Sequence, residues 1–217
     1  MRLRLVLASQ SPARLKLLRA AGFAPEVIVS GVDEDGFEAA SPAELVLMLA
    51  QAKARAVAER IAAQEDEDGD EDKAGTRTLV IGCDSVLDVD GSAYSKPGTA
   101  QAATMRWKEI RGREGVLFTG HCLIDLGSGR EVADIAPTLV RFSDITDEEI
   151  DAYVATGEPL QVAGAFTIDG IGGSFVDSIA GDASNVVGLS LPLLRRLLGG
   201  FGYTVPQLWA ADIRSED

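Results

Sequence analysis

Apolar positions along the chain recur with two periods, and the switches between them mark the elements. Leu3–Ala8 is an apolar run of strand length and predicts a first strand buried on both faces. Ser11-Pro12 then has the residues of a helix start, a capping hydroxyl followed by proline in the first turn. Leu15, Leu18 and Ala21 mark one face of that helix, and Gly22 ends it. Glu26–Ser30 reads as a second strand. Ser41-Pro42-Ala43-Glu44 is a capping box, and the helix it opens carries Leu45, Met48, Leu49 and Ala52 to about Ala63. Thr78–Ile81 predicts a buried strand, which Val86–Val89 continues before a hairpin turn at Asp90-Gly91. A helix over Ala100–Ile110 stops at Gly112. Gly115–Asp125 and Arg130–Phe142 read as a strand pair around Gly127-Ser128-Gly129. Thr146-Asp147-Glu148-Glu149 caps a helix to Thr156, Ala163–Ile179 reads as a glycine-rich strand region, and the last helix spans roughly Leu191–Leu198. Strands alternating with helices, some joined by hairpins, predict an α/β fold with a mixed sheet.

The 217 residues suit one domain, in one unit or two closely joined lobes. The run from Glu65 to Asp72 carries half of the net charge of −14 and has little to bury, so residues 64–77 are expected to form a disordered surface loop. Such an acidic chain is a poor match for a nucleic-acid backbone, although a small phosphorylated substrate can still be held by local cations and a metal. No apolar stretch is long enough for a membrane span. The basic N-terminus with its short apolar run reads as a strand rather than a signal peptide. Two cysteines, Cys83 and Cys122, make no disulfide framework and no metal spacing; both are expected to be core thiols in a cytoplasmic protein.

Several segments carry candidate chemistry. In Ala8-Ser9-Gln10-Ser11-Pro12-Ala13-Arg14 a strand ends in hydroxyls and a helix begins, so free N–H groups and partial positive charge face the turn. Ser9 and Ser11 can donate there. Arg14 is a cation in a first turn, where the helix dipole disfavours it unless an anion binds; the plain alternative is that Ser11 only caps and Arg14 is solvated. Asp84, in Gly82-Cys83-Asp84-Ser85 at the end of an apolar strand, can hold a divalent cation or orient water, or can simply bond its own turn. Lys96, fixed by Pro97, is either a phosphate ligand or a surface lysine. Asp169, beside Gly170, is a second carboxylate or a turn residue, and Asp33 and Glu34 are loop acids open to the same two readings. His121 and Trp107 read as structural, and Trp209 as packing the C-terminal tail down.

In this order these segments resemble the Maf family of nucleoside triphosphate pyrophosphatases. Leu7–Arg14 is similar to the opening motif LASxSPRR, Gly82–Ser85 to GxDT, and Ser95-Lys96-Pro97 to GKP. Gly157-Glu158-Pro159-Leu160, Ala163-Gly164, Gly170–Val176 and Asn185–Leu189 complete a match over about residues 3–198. The resemblance implies an ITPase-like α/β fold: an elongated mixed sheet flanked by helices, in two lobes with a deep cleft. It implies cleavage of a nucleoside triphosphate, pyrimidine or modified, into a monophosphate and pyrophosphate, with Mg²⁺ or Mn²⁺, often in a homodimer. Carried over by position, Ser9, Ser11, Arg14, Lys53 and Lys96 bind the phosphates, Glu34 and Asp84 hold the metal and activate water, and Asp169 is a further catalytic candidate. The alternative is a nucleotide-binding regulator of cell division and septum formation.

The chain departs from the family pattern at four places: Ala13 replaces an arginine, Val162 a lysine, Asp169 a glutamine and Gly115 a histidine. Each leaves the preferred base open.

Overall fold

The computed structural model describes residues 2–68 and 76–211. Its strands are β1 (Arg2–Leu7), β2 (Glu26–Val27), β3 (Thr76–Val89), β4 (Ser92–Tyr94), β5 (Glu114–Asp125), β6 (Arg130–Phe142) and β7 (Val176–Ala180). Its helices are α1 (Pro12–Ala20), α2 (Pro42–Asp68), α3 (Ala100–Ile110), α4 (Asp147–Ala155), α5 (Ala183–Val187) and α6 (Leu191–Gly200). The strands form one mixed sheet in the order β2-β1-β3-β5-β6-β7, with β4 paired to the far part of β3. β2, β1 and β3 run parallel; from β3 through β7 the neighbours are antiparallel.

β3 is the axis of this arrangement. Its first half pairs with β1 as far as Leu7↔Ile81, its last three residues pair with β4, and its other edge pairs with β5 throughout Leu79–Asp88. Residues 82–86 therefore have β5 on one side and no strand on the other. The sheet is open at the carboxyl end of β1, where an α/β sheet offers its ligand crevice.

The core has three clusters. Leu5, Leu7, Leu79, Ile81 and Cys83 pack under α1 and α6, and Val6, Val80, Cys122 and Ile124 pack under α2. The third cluster, at the far end of the sheet, is built around Trp107 with Leu87, Phe142, Ile150, Tyr153 and Phe166. Trp107 meets Phe142, Tyr153 and Phe175 edge to face at 5.6–5.8 Å. It is the packing residue that the sequence predicts. Near the end of the described residues, Trp209 forms an isolated backbone bridge with Phe23.

α2 lies unusually close to the sheet because two glycines face it. A Cβ on Gly82 would stand 2.3 Å from the Ala50 carbonyl oxygen, and one on Gly120 would stand 2.2 Å from that of Val46. On the helix side the contact is made by Val46, Ala50, Ala54, Val57 and Ile61, all buried and spaced three or four apart. An ion pair fastens the other side: Arg55 donates twice to Glu131 on β6, at 2.7 and 2.8 Å.

Three predicted elements are corrected. α2 continues to Asp68 rather than ending near Ala63, since Gln64, Glu65 and Glu67 are good helix formers; the acidic loop predicted over 64–77 thus overlaps α2 and, at Thr76 and Arg77, β3, and its remainder, 69–75, lies outside the described residues. β2 stops at Val27 instead of Ser30, because the Val29 and Ser30 carbonyls turn away to accept from Arg60. The glycine-rich stretch from Ala163 forms tight turns at Ala163–Ala165 and Ile171–Phe175, not a strand, and only Val176–Ala180 pairs. The cause is Glu158, whose carboxylate gathers the Tyr153 and Thr167 hydroxyls and the Ile171 and Gly172 N–H groups, pulling the segment into a coil around itself.

Gly82→Ala and Gly120→Ala should each destabilise the fold by about 3 kcal/mol or more, because the added methyl meets helix backbone that cannot move aside alone. Urea unfolding checks this; a loss under about 1 kcal/mol at both positions would show that α2 is not held by this contact.

Candidate active site

The open edge of β3 lies at the floor of a cleft of about 600 Å³, the size of a small-molecule site. Ser9, Ser11 and Arg14 line it from the start of α1, Glu34 from the loop after β2, and Lys53 from α2. Asp84 and Ser85 line it from β3, and Lys96 from the turn after β4. Seven of the eight sequence-predicted site residues are thus brought together. Asp84 lies mid-strand rather than at a strand end; it is exposed to the cleft because β1 has stopped and β4 has not begun.

Alternation along β3 sends neighbouring side chains to opposite faces, and both faces are used. Asp84 turns toward α2 and accepts from Lys53 Nζ at 2.6 Å. Glu34 takes the same ammonium at 2.7 Å, so one buried lysine is clasped by two carboxylates. Burial tends to raise the Glu34 pKa, but the Lys53 hydrogen bond and the charges of Lys53, Lys96 and Arg14 outweigh it and hold it below the usual carboxylate range. Glu34 is accordingly ionised at neutral pH.

Ser85 turns the other way, toward α1. Arg14 is buried there with no carboxylate partner among the described residues. Three of its five N–H bonds are used by protein: Nε to Gly188 O (2.6 Å), Nη1 to Ser9 Oγ (3.2 Å) and Nη2 to Ser85 Oγ (2.9 Å). Two have no protein acceptor among the described residues, and Arg14 lines the cleft. A buried guanidinium fixed by neutral acceptors is poorly compensated without an anion. Ser11 caps α1, accepting from Arg14 N at 3.4 Å, and also lines the cleft.

Lys96 lines the cleft with no ion pair among the described residues. Its turn is held by residues the sequence does not single out. Arg106 lies 4.9 Å over the Tyr94 ring and donates to the Ser95 carbonyl, and Gly98 N donates to Leu160 O at 2.9 Å. Arg106 and Thr119 lie outside the motif segments, and Ser85 and Asn185 lie inside them without a role of their own; each acts through a neighbour rather than through a recognisable spacing.

Asp169 is not brought in. Because its segment is turn rather than strand, it sits outside the cleft lining and pairs with the exposed Lys16 at 3.6 Å. Asp33 closes a local turn, accepting from Asp35 N. His121 is structural, as expected: its Nε2 accepts from Ser190 N, which makes the ring neutral with the proton on Nδ1, and burial lowers its pKa to about 4. The buried Cys83 and Cys122 are core thiols, and burial pushes Cys83 up to about 12. Of the departures noted in sequence, Ala13 and Val162 line the cleft, whereas Gly115 packs against Leu87 and Val89 away from it.

The wall opposite α1 is Gln161-Val162-Ala163 with Phe166. Ala165, between them, has a left-handed backbone (φ 62°), costly for a residue with a Cβ. Its carbonyl accepts from the Trp107 indole at 2.8 Å, which fixes this strained turn to the aromatic core.

A protein-family model described as Maf-like protein matches residues 4–201. A Streptomyces coelicolor protein named nucleoside triphosphate pyrophosphatase is 60% identical over 209 residues, 96% of each chain. One of the same name from Streptomyces avermitilis is 58% identical, covering 96% of this chain and 95% of its own. A solved structure described as that of the Staphylococcus aureus Ham1 protein superposes with a TM-score of 0.47 at 12% identity, over 91% of this chain and 99% of that one, too distant to support any inference.

Glu158→Gln should loosen the cleft wall in a pH-dependent way. Burial raises the Glu158 pKa, but its four donors outweigh that and lower it below the ordinary value. The carboxylate's contribution is therefore complete above the ordinary glutamate range and fades as pH falls through the lowered folded-state value. The stability gap between wild type and variant should be widest near neutrality and shrink toward pH 3. A gap independent of pH would show that the charge of Glu158 is not what organises the turn.

Proposed function

The chain belongs to the Maf-like protein family, and on that premise we propose that it hydrolyses a nucleoside triphosphate to a monophosphate and pyrophosphate. The observation that carries this reading is the juxtaposition in one cleft of three cations, Arg14, Lys53 and Lys96, with two carboxylates, Glu34 and Asp84. Water attacks the α-phosphorus in line, the α–β bridging P–O bond breaks, pyrophosphate leaves, and the water's proton passes to a carboxylate. Glu34, ionised at neutral pH, is able to take it. Arg14, with two free N–H bonds, and Lys96, without a carboxylate partner, suit the negative charge that builds on the departing oxygens.

A divalent cation, Mg²⁺ or Mn²⁺, belongs to the same reading. Glu34 and Asp84 already converge on one cationic group, the Lys53 ammonium, and two carboxylates with substrate phosphate oxygens are a donor set that suits a hard divalent ion. Bound there, it would neutralise phosphate charge and acidify water. The pyrimidine or modified-base preference, the homodimer and the cytoplasmic setting are parts of the proposal. Consistent with that setting, no helix among the described residues is long and apolar enough to cross a membrane.

Pyrophosphate release across a panel of standard and modified nucleoside triphosphates, with Mg²⁺ or Mn²⁺, tests the reading. Release from one or a few of them is expected. Asp84→Ala should lower kcat by roughly a hundredfold or more with the fold intact, and Lys96→Ala should raise KM and lower kcat together. Near-normal turnover by folded Asp84→Ala removes the assignment. Nucleotide binding without any release would favour the regulator of cell division instead.

A further inference from the structure

A chain of hydrogen bonds runs from Arg14 through two hydroxyls into the core. Thr119 Oγ1 lies 3.3 Å from the Asn185 carbonyl oxygen, which can only accept, so the Thr119 hydroxyl donates its one proton there. The 2.9 Å contact between Ser85 Oγ and Thr119 Oγ1 can run either way by itself; with the Thr119 proton on the Asn185 carbonyl, Ser85 is its donor. With its proton committed, Ser85 offers Arg14 a lone pair, and accepts from Nη2 at 2.9 Å. Ser85 lines the cleft, yet in this arrangement it has no proton to give a phosphate; what it presents is an acceptor that aims the guanidinium.

The far end of the chain is anchored. Thr119 and Asn185 are both fully buried. The two protons of Asn185 Nδ2 serve three acceptors on the two strands beneath it, Ala136 O (2.9 Å), Thr138 Oγ1 (3.0 Å) and Leu117 O (3.3 Å), one proton being shared. Its Oδ1 is buried without a partner, so the side chain is oriented entirely by what its amide donates. Three residues beyond Asn185, the carbonyl of Gly188 takes Arg14 Nε. One short helix, α5, thus supplies both the carbonyl that ends the hydroxyl chain and the approach to the carbonyl that holds the other edge of the guanidinium.

We propose that Thr119 is a positioning residue for Arg14, acting through Ser85, so that the guanidinium meets the triphosphate with its two remaining N–H bonds already aimed. The proposal rests on the reading of the cleft as a triphosphate site. Thr119 touches no substrate; its hydroxyl fixes which way Ser85 points its proton.

The test uses the full chain with inorganic tripolyphosphate as metal-free probe, binding measured by calorimetry, alongside pyrophosphate release from the nucleotide panel. Thr119→Val, nearly isosteric, should weaken tripolyphosphate binding roughly tenfold, the scale of one misdirected charge-assisted hydrogen bond, and raise KM more than it lowers kcat. Thr119→Ser, which keeps the hydroxyl, should return both to within about threefold of wild type. Ser85→Ala should weaken binding to a similar degree, and Ser85→Ala with Thr119→Val should be little worse than either alone, because both break one chain. Should Thr119→Val fail to fold, Thr119→Ala against Thr119→Ser makes the same comparison.

Wild-type affinity in Thr119→Val, no recovery in Thr119→Ser, additive losses in the double variant, or no tripolyphosphate binding by wild type would each overturn the proposal. The two readings fail separately. Wild type that binds tripolyphosphate in this Thr119-dependent way but hydrolyses no nucleotide keeps the positioning role and removes the hydrolase. Wild type that hydrolyses while Thr119→Val is unaffected does the reverse.

Discussion

The close approach of α2 to the sheet at Gly82 and Gly120 is the contact on which the site depends. Lys53 comes one position before Ala54, whose nitrogen lies 2.8 Å from where a Gly82 side chain would begin. With helix and strand this close, a lysine rooted in the helix reaches a carboxylate two residues along the strand. Without the glycines the helix would ride higher, and a buried ammonium would lose the partner that makes its burial tolerable. The same short distance draws in the loop after β2, because Glu34 closes on the ammonium from above. A backbone contact in the core thus sets the electrostatics of the cleft.

The cleft itself follows from how β3 shares its edge. β1 stops at Leu7 and β4 begins pairing only at Leu87, so a few residues of one continuous strand are left with a bare flank. Ordinarily such a gap exposes backbone that invites another strand. Here the helix start at Ser11-Pro12 and the turn carrying Lys96 border it, and the flank becomes the floor of a pocket. The pocket is electrostatically uneven. Around Lys53 one ammonium meets two carboxylates, whereas Arg14 and Lys96 have no carboxylate partner among the described residues. An anion with charge spread along its length would find one cationic end and one end with a carboxylate in excess, where a cation is needed as well.

Much of this was legible in sequence, for identifiable reasons. Strands β1, β5 and β6 and helices α1, α3 and α4 carry clear hydrophobic periods, and the caps Ser11 and Thr146 do in the structure what such residues do. Ser9, Ser11, Arg14 and Lys96 stood out as candidates because a serine-proline helix start, or a lysine before proline, has local consequences readable without the fold, whereas Lys53 came only through the family resemblance. The misses share a different physics. The segment after Ala163 has strand-like composition, but the Glu158 carboxylate, through bonds spanning up to fourteen residues, gathers its N–H groups into turns. Asp169 followed it out of the cleft. Val86–Val89 reads as a continuation of the Thr78–Ile81 strand, and the pairing with β5 shows that the strand runs unbroken through Asp84-Ser85. Thr119 and Asn185 are ordinary strand and helix residues until the chain folds.

One feature of the pocket wall places part of its shape under remote control. The Ala165 turn is not at a conformational minimum of its own; it is held by an indole buried among three aromatic rings, none of which lines the cleft. The wall behaves like a cast taken from the core. A change in aromatic packing several residues deep can move Val162, Ala163 and Phe166 without altering a single pocket residue. In a lineage or in the laboratory, the set of molecules admitted can therefore drift through substitutions at interior positions, while the cationic and carboxylate groups across the cleft stay as they are.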